Sequence, residues 1–217
     1  HLLRFNERIH VAGVEASDAE IVRAFTDIEK ARGEILLTYF EFATLAALLV
    51  FAAHDPDVII LEVGLGGRLD SVNMVDPDVS VITSIDLDHQ DWLGDTRDAI
   101  AREKAGILRA STPAVIGEPE PPEALREAVK ESGATPALYA GQDFGVSLDA
   151  GHWRAEWRDS SGVFRSTGPR PSGSLLPQNI ATAIQAACLS GWRFSEVSLD
   201  KALQTVDPVG RRQRWDI

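Results

Sequence analysis

The chain predicts an α/β fold: a mostly parallel sheet with helices on both faces and a small antiparallel β subsheet. Two observations carry this. Between residues 58 and 140 short apolar runs alternate with helix-period segments, the order that builds βα units. The first run, residues 58–63, is apolar on both faces, as a central parallel strand is. Residues 153–165 differ, alternating in polarity around Asp159-Ser160-Ser161-Gly162, the pattern of a β-hairpin at an edge or of an antiparallel subsheet.

Taken in order, Ser17-Asp18-Ala19-Glu20 reads as a capping box that opens a helix to about residue 32. Residues 41–54 predict a second helix with a small-residue face. Strands follow at 58–63 and 79–85, and Thr96 caps a helix expected to run to residue 110. A short strand at 114–117, a helix at 122–132 begun by proline and a strand at 137–140 continue the alternation. After the hairpin, residues 178–191 and 198–206 return to helix, and residues 169–174 form the only linker-like stretch.

With 33 acidic against 21 basic residues the net charge is −12, which disfavours a general binder of phosphate backbones. The single cysteine, Cys188, excludes a disulfide framework and is expected to pack on a helix. The longest apolar segment, 45–53, is too short to span a bilayer, and no signal-peptide pattern is visible. Composition therefore suits a soluble, cytoplasmic domain with neither nucleic acid nor membrane as partner.

The chemistry concentrates in three segments. Glu62 interrupts the apolar run and leads into Gly64-Leu65-Gly66-Gly67-Arg68-Leu69-Asp70, so it is expected to project from the strand's carboxyl end into a phosphate or metal site, or to stabilise the strand end near Arg68. The second run feeds Asp86-Leu87-Asp88-His89-Gln90-Asp91, where His89 can be a metal ligand, a proton-transfer group or a solvated loop histidine. Lys104, in Arg102-Glu103-Lys104-Ala105-Gly106-Ile107, reads by itself as a surface helix lysine.

Together with Thr38-Tyr39-Phe40-Glu41-Phe42 and Leu176-Pro177-Gln178-Asn179-Ile180, these segments resemble the Mur ligase superfamily, and within it the folylpolyglutamate synthase/dihydrofolate synthase family. The resemblance implies a Mur-ligase-like central domain over residues 1–209 and the start of a linker at 210–217. The family's ATP-binding P-loop is expected upstream of His1 and its C-terminal domain beyond the linker; no Gly-x-x-x-x-Gly-Lys-Ser/Thr occurs here. It further implies an ATP-dependent ligase that adds L-glutamate to dihydropteroate or folates through an acyl phosphate, as a monomer, the fragment alone being inactive.

Carried over residue by residue, the resemblance makes Glu62 and His89 ligands of one Mg²⁺ and Lys104 a carbamylated residue that helps hold a second, His89 and Lys104 acting in catalysis. Asn179 and Arg211 match ATP contacts. Thr38, Tyr39, Phe40, Glu41, Leu69, Asp70 and Ser71 match substrate-contact segments, although Tyr39 and Phe40 equally suit a core. Residues 4–8 resemble a mobile substrate loop, or form a solvated turn. Two other classes stay open: a Mur-type ligase acting on a peptidoglycan precursor, and a truncated domain that binds without catalysis.

Overall fold

Capping chemistry and a left-handed turn shape the first part of the chain. In a computed structural model, which describes residues 3–159, 161–171 and 175–206, the chain divides into two compact units, His1–Val75 and Asp76–Ile217. In the first unit β1 (His10–Val11) and β2 (Val14–Glu15) form an antiparallel hairpin absent from the sequence expectation. Its turn is made by Ala12 and Gly13, both at positive φ (50° and 81°), the twist that tight hairpins need.

Helix α1 (Asp18–Arg32) starts as expected: the Ser17 hydroxyl accepts the Glu20 N–H, and the Glu20 carboxylate accepts the Ser17 N–H at 2.8 Å. Helix α2 (Tyr39–His54) begins two residues before the expected start because Thr38 and Glu41 form a second capping box. Its small residues let it close on α1. Ala46 is fully buried and lies with Val50, Ile21, Ala24, Ile28 and Ile9 in one apolar cluster.

Within residues 4–8, matched to a mobile substrate loop, Phe5–Arg8 form a 3₁₀ turn capped by Arg4. Asn6 is buried, its Nδ2 donating to the Ala16 carbonyl at 2.7 Å and to Asp18 Oδ1 at 2.8 Å, while Arg4 pairs with Asp18.

The two helices are also tied by His54, whose Nε2 lies 2.5 Å from Glu20 Oε1. Hydrogen bonds from Ser17, then from His54, hold the Glu20 carboxyl down to about 2 from its ordinary 4.5. A carboxyl depressed by folding contributes stability above its unfolded value and loses it as pH falls through the folded one. Glu20→Gln is therefore expected to lower the melting temperature at neutral pH, with the gap to wild type closing between pH 4.5 and about 2. Thermal unfolding followed by circular dichroism checks this; a gap that is constant over the range would refute it.

The second unit is built on a parallel sheet, β3 (Ser80–Ile82), β4 (Ala114–Ile116) and β5 (Ala137–Tyr139), in that order. Successive residues of β4 serve opposite faces. Ala114 and Ile116 pack with Ile100, Ala101 and Ala105 of α4 (Arg97–Ala105) and with Leu125 and Val129 of α5 (Glu123–Ser132). Val115 packs instead with Ala181, Ile184 and Cys188 of α6 (Pro177–Leu189) and Leu199 of α7 (Glu196–Thr205). Cys188 is a buried packing residue, as expected.

That second face is shared with the predicted antiparallel subsheet: β6 (Gly145–Asp149), β7 (His152–Arg158), β8 (Phe164–Ser166) and β9 (Arg170–Pro171). Along β7, Trp153, Ala155 and Trp157 are buried while His152, Arg154 and Glu156 are exposed, the period of a one-sided strand. A short helix, α3 (Gln90–Leu93), lies between β3 and α4. Among the described residues no helix is long and apolar enough to cross a membrane.

Other boundaries differ from expectation: β3 ends at Ile82 rather than at residue 85. The helix expected to reach residue 110 stops at Ala105, because Gly106 caps it and the chain then turns, with Ser111 at φ 61°. Residues 58–63 are not a strand. A strand exists only with a ladder partner, and no described residue pairs with this run, so Val58, Ile59 and Ile60 are 45%, 47% and 87% exposed.

Candidate functional site

The glycine-rich turn after residue 63 folds around one carboxylate. Asp70 Oδ2 accepts the N–H groups of Gly64 (3.0 Å) and Leu65 (2.9 Å), and Oδ1 accepts that of Val72 (2.9 Å). These amides, which in a glycine loop can cradle a phosphate, here serve the turn itself. Asn73 completes it, donating from Nδ2 to the Arg68 carbonyl at 3.1 Å. Phe40 roofs the turn: a β-carbon on Gly64 would meet the ring at 2.5 Å, so glycine is required for the close approach.

The expected substrate segments thus have local structural duties as well. Thr38 and Glu41 cap α2, and Ser71 Oγ lies 2.8 Å from Thr44 Oγ1. Tyr39 is exposed, with Arg8 stacked 5.5 Å from its ring centre and the Phe5 ring edge-on at 6.2 Å. Leu69 is 79% exposed, an apolar side chain presented outward beside the turn. Glu62, expected as a costly strand-end carboxylate, is exposed and carries no desolvation penalty.

In the second unit the residues after β3 form an exposed loop that ends in α3. His89 heads that helix in the left-handed region (φ 50°), a strained setting for a residue with a β-carbon. Its own carbonyl accepts the N–H groups of Trp92 (2.9 Å) and Leu93 (3.0 Å), and its Nε2 lies 3.7 Å from Asp88 Oδ2. Asp88 Oδ1 accepts the His89 N–H and Asp86 Oδ1 the Leu87 N–H, both at 2.8 Å, so side-chain turns hold the loop open. Trp92 is 80% exposed. Gly94 (φ 97°) closes the loop where a β-carbon would strike Ala99 Cβ at 2.8 Å.

Lys104 lies half-buried in the last turn of α4. Asn179 is exposed in the first turn of α6, whose opening Pro177 gives up no needed donor. Arg211 and the linker at 210–217 lie outside the described residues.

Sequence reasoning missed Glu118 and Arg97. Glu118 is only 6% exposed, directly beyond β4, and its Oε1 lies 3.3 Å from Arg97 Nη2. The rule that singled out Glu62, a carboxylate at the end of an apolar strand, applies equally to Glu118 and was the available signal.

By donor type an exposed carboxylate such as Glu62 and an exposed imidazole such as His89 each suit a divalent cation, zinc or manganese as well as magnesium. Among the described residues no three or more His, Cys, Asp or Glu side chains are grouped to hold a metal.

The Mur ligase middle domain model matches residues 11–166. Dihydrofolate synthase/folylpolyglutamate synthase of Escherichia coli (strain K12) is 44% identical over 214 residues, 98% of this chain and 49% of its own length. Folylpolyglutamate synthase of Lacticaseibacillus casei is 35% identical, covering 86% of this chain and 46% of its own. Among solved structures, E. coli FolC in complex with DHPP and ADP superposes with a TM-score of 0.90 at 43% identity, over 98% of this chain and 50% of that one. The bifunctional enzyme of Yersinia pestis, complexed with AMPPNP and Mn ion, gives 0.88 at 43% identity, over 98% and 50%. The chain spans about half the length of the curated relatives it matches. With the model matching most of its length, and with the sheet, hairpin and helix order described above, the chain belongs to the Mur ligase middle domain family.

Proposed function

We propose that the intact protein is a cytoplasmic ATP-dependent ligase that joins L-glutamate to dihydropteroate, to folates, or to both, and that these residues are part of its nucleotide-binding middle domain. One observation carries the reading: 44% identity to dihydrofolate synthase/folylpolyglutamate synthase along 98% of this chain. The solved relatives bind DHPP, ADP, AMPPNP, Mn and L-glutamate.

The chemistry asks for activation. A carboxylate is a poor acceptor for an amine, so the γ-phosphoryl group is first moved onto it, and glutamate's amine then displaces phosphate from the acyl phosphate. Both steps gather negative charge, and divalent cations, when bound, offset it. Glu62 and His89 would hold one such cation and Lys104, as its carbamate, a second; Asn179 and Arg211 would contact ATP. Tyr39, Phe40 and Leu69 offer aromatic and apolar surface for a flat pterin, with Thr38, Glu41, Asp70 and Ser71 framing it. The protein works as a monomer.

The test is ADP release by the full-length protein with dihydropteroate or tetrahydrofolate, with and without glutamate. Turnover that needs both pterin and glutamate is expected. Use of a nucleotide-linked muropeptide instead would move the protein to the peptidoglycan ligases, and absence of any ATP turnover would make it a binding module.

A further inference from the structure

β3 ends at Ile82, three residues before the expected boundary, and the reason is a side chain. The last backbone link from β4 is the Gly117 N–H to the Ile82 carbonyl at 2.7 Å. Three residues on, the Ile85 N–H donates to Glu118 Oε2 at 2.8 Å, while the Ile85 carbonyl accepts from Arg97 Nε at 3.0 Å. Glu118 Oε1 also accepts the Glu120 N–H at 3.0 Å, and Arg97 Nη2 donates to the Glu120 carbonyl at 3.1 Å. One ion pair therefore grips both polar groups of the Ile85 peptide, and Ile85 itself is 3% exposed.

Directly beyond Ile85 begins the exposed loop that reaches His89. The loop's other end is set by Gly94 packed on Ala99. Between them the chain is tied by the side-chain turns of Asp86 and Asp88, the contact of His89 Nε2 with Asp88 and the first turn of α3, little to hold a left-handed His89 if the base were loose. An ion pair whose carboxylate is buried and whose arginine is partly exposed is weak evidence for stability by itself, since desolvation of the carboxylate offsets the attraction. Its use here is geometric: a charged acceptor and a forked donor that agree on one position for one peptide.

We infer that Glu118 is a positioning residue, fixing through Ile85 and Arg97 the loop from which His89 engages a divalent cation. This rests on the reading of His89 as a metal ligand. Glu118 touches neither metal nor substrate; it sets the direction from which the imidazole approaches.

The experiment uses the full-length protein and Mn²⁺ as probe, with binding followed by electron paramagnetic resonance and by paramagnetic broadening of the His89 ring signal. Glu118→Gln keeps the volume but loses the charge and one of the two acceptor oxygens. It is expected to weaken Mn²⁺ binding by about tenfold or more, as loss of a group that orients a ligand does. Broadening of the His89 signal should need correspondingly more Mn²⁺. In turnover, kcat should fall while the folate KM stays within about twofold. Glu118→Asp, which keeps the charge, should recover part of the affinity.

In a His89→Ala background Glu118→Gln should cause no further loss, because the residue acts through His89. Wild-type Mn²⁺ affinity in Glu118→Gln, or an equal loss with and without His89, would overturn the inference. Wild-type affinity in His89→Ala alone would instead overturn the metal reading on which it rests. If Glu118→Gln fails to fold, Arg97→Lys, which keeps the cation but loses the fork onto Ile85 and Glu120, is read by the same measurements and criteria.

Discussion

Full-length protein carrying His89→Ala is expected to lose turnover by about a hundredfold or more, with the fold of the second unit retained, since removal of a preorganised group at a site of developing charge has effects of this size. His89 is in none of the core clusters: it is exposed, its Nε2 lies beside Asp88, and its backbone sits at φ 50°. On the proposed reading, this strained, exposed imidazole is held for what it binds rather than for what it packs. Because alanine is also disfavoured at positive φ, His89→Asn is the sharper variant; asparagine tolerates the left-handed region while removing the imidazole. Its turnover should be as low as that of alanine. Recovery with asparagine would mean that His89 serves the backbone alone. Glu62→Ala should behave alike, and near-normal ADP release at limiting Mg²⁺ by either the Glu62 or the His89 alanine variant would sink the proposed metal role of that residue.

The largest stability effect is expected in the first unit, at Gly64→Ala. The added methyl would lie 2.5 Å from Phe40 Cζ and 2.9 Å from both ring Cε atoms, far inside contact distance. Either the ring swings off the turn or the turn moves away from α2, and overpacking of this kind costs about 1–3 kcal/mol. Movement of the turn would also pull the Gly64 and Leu65 amides from Asp70, which lies next to Ser71 and its contact to Thr44. Phe40→Leu in the same chain should restore most of the loss by opening the space. Chemical denaturation of the single and double variants decides the matter. Gly64→Ala as stable as wild type, or no rescue by the smaller side chain, would show that the close approach is not needed.

Most of the secondary structure was legible because its causes are local. Ser17 and Glu20 announce the start of α1, Thr96 that of α4, and the alternation of Trp153, Ala155 and Trp157 announces a one-sided strand whatever it packs against. The same local logic applies to Thr38 and Glu41, whose capping box places the start of α2; the resemblance also matches these residues to a substrate segment. Site candidates came from motif order, since a glycine-rich turn, a histidine after an apolar strand and a helix lysine each fit several chemistries.

By itself the sequence determined the α/β class, the capped starts of α1 and α4, the antiparallel subsheet around β7 and the segments in which chemistry gathers, because capping, periodicity and turn geometry depend on residues within a few positions of one another. Only the tertiary structure decided what each carboxylate does. Asp70 turned inward to three amides; Glu62, in an apolar run with no ladder partner among the described residues, stood in solvent; Glu118, 33 residues from the Ile85 amide it receives, was buried against Arg97. A carboxylate's role is set by which donors reach it and how much water is excluded around it, and both depend on which distant segments the fold brings together.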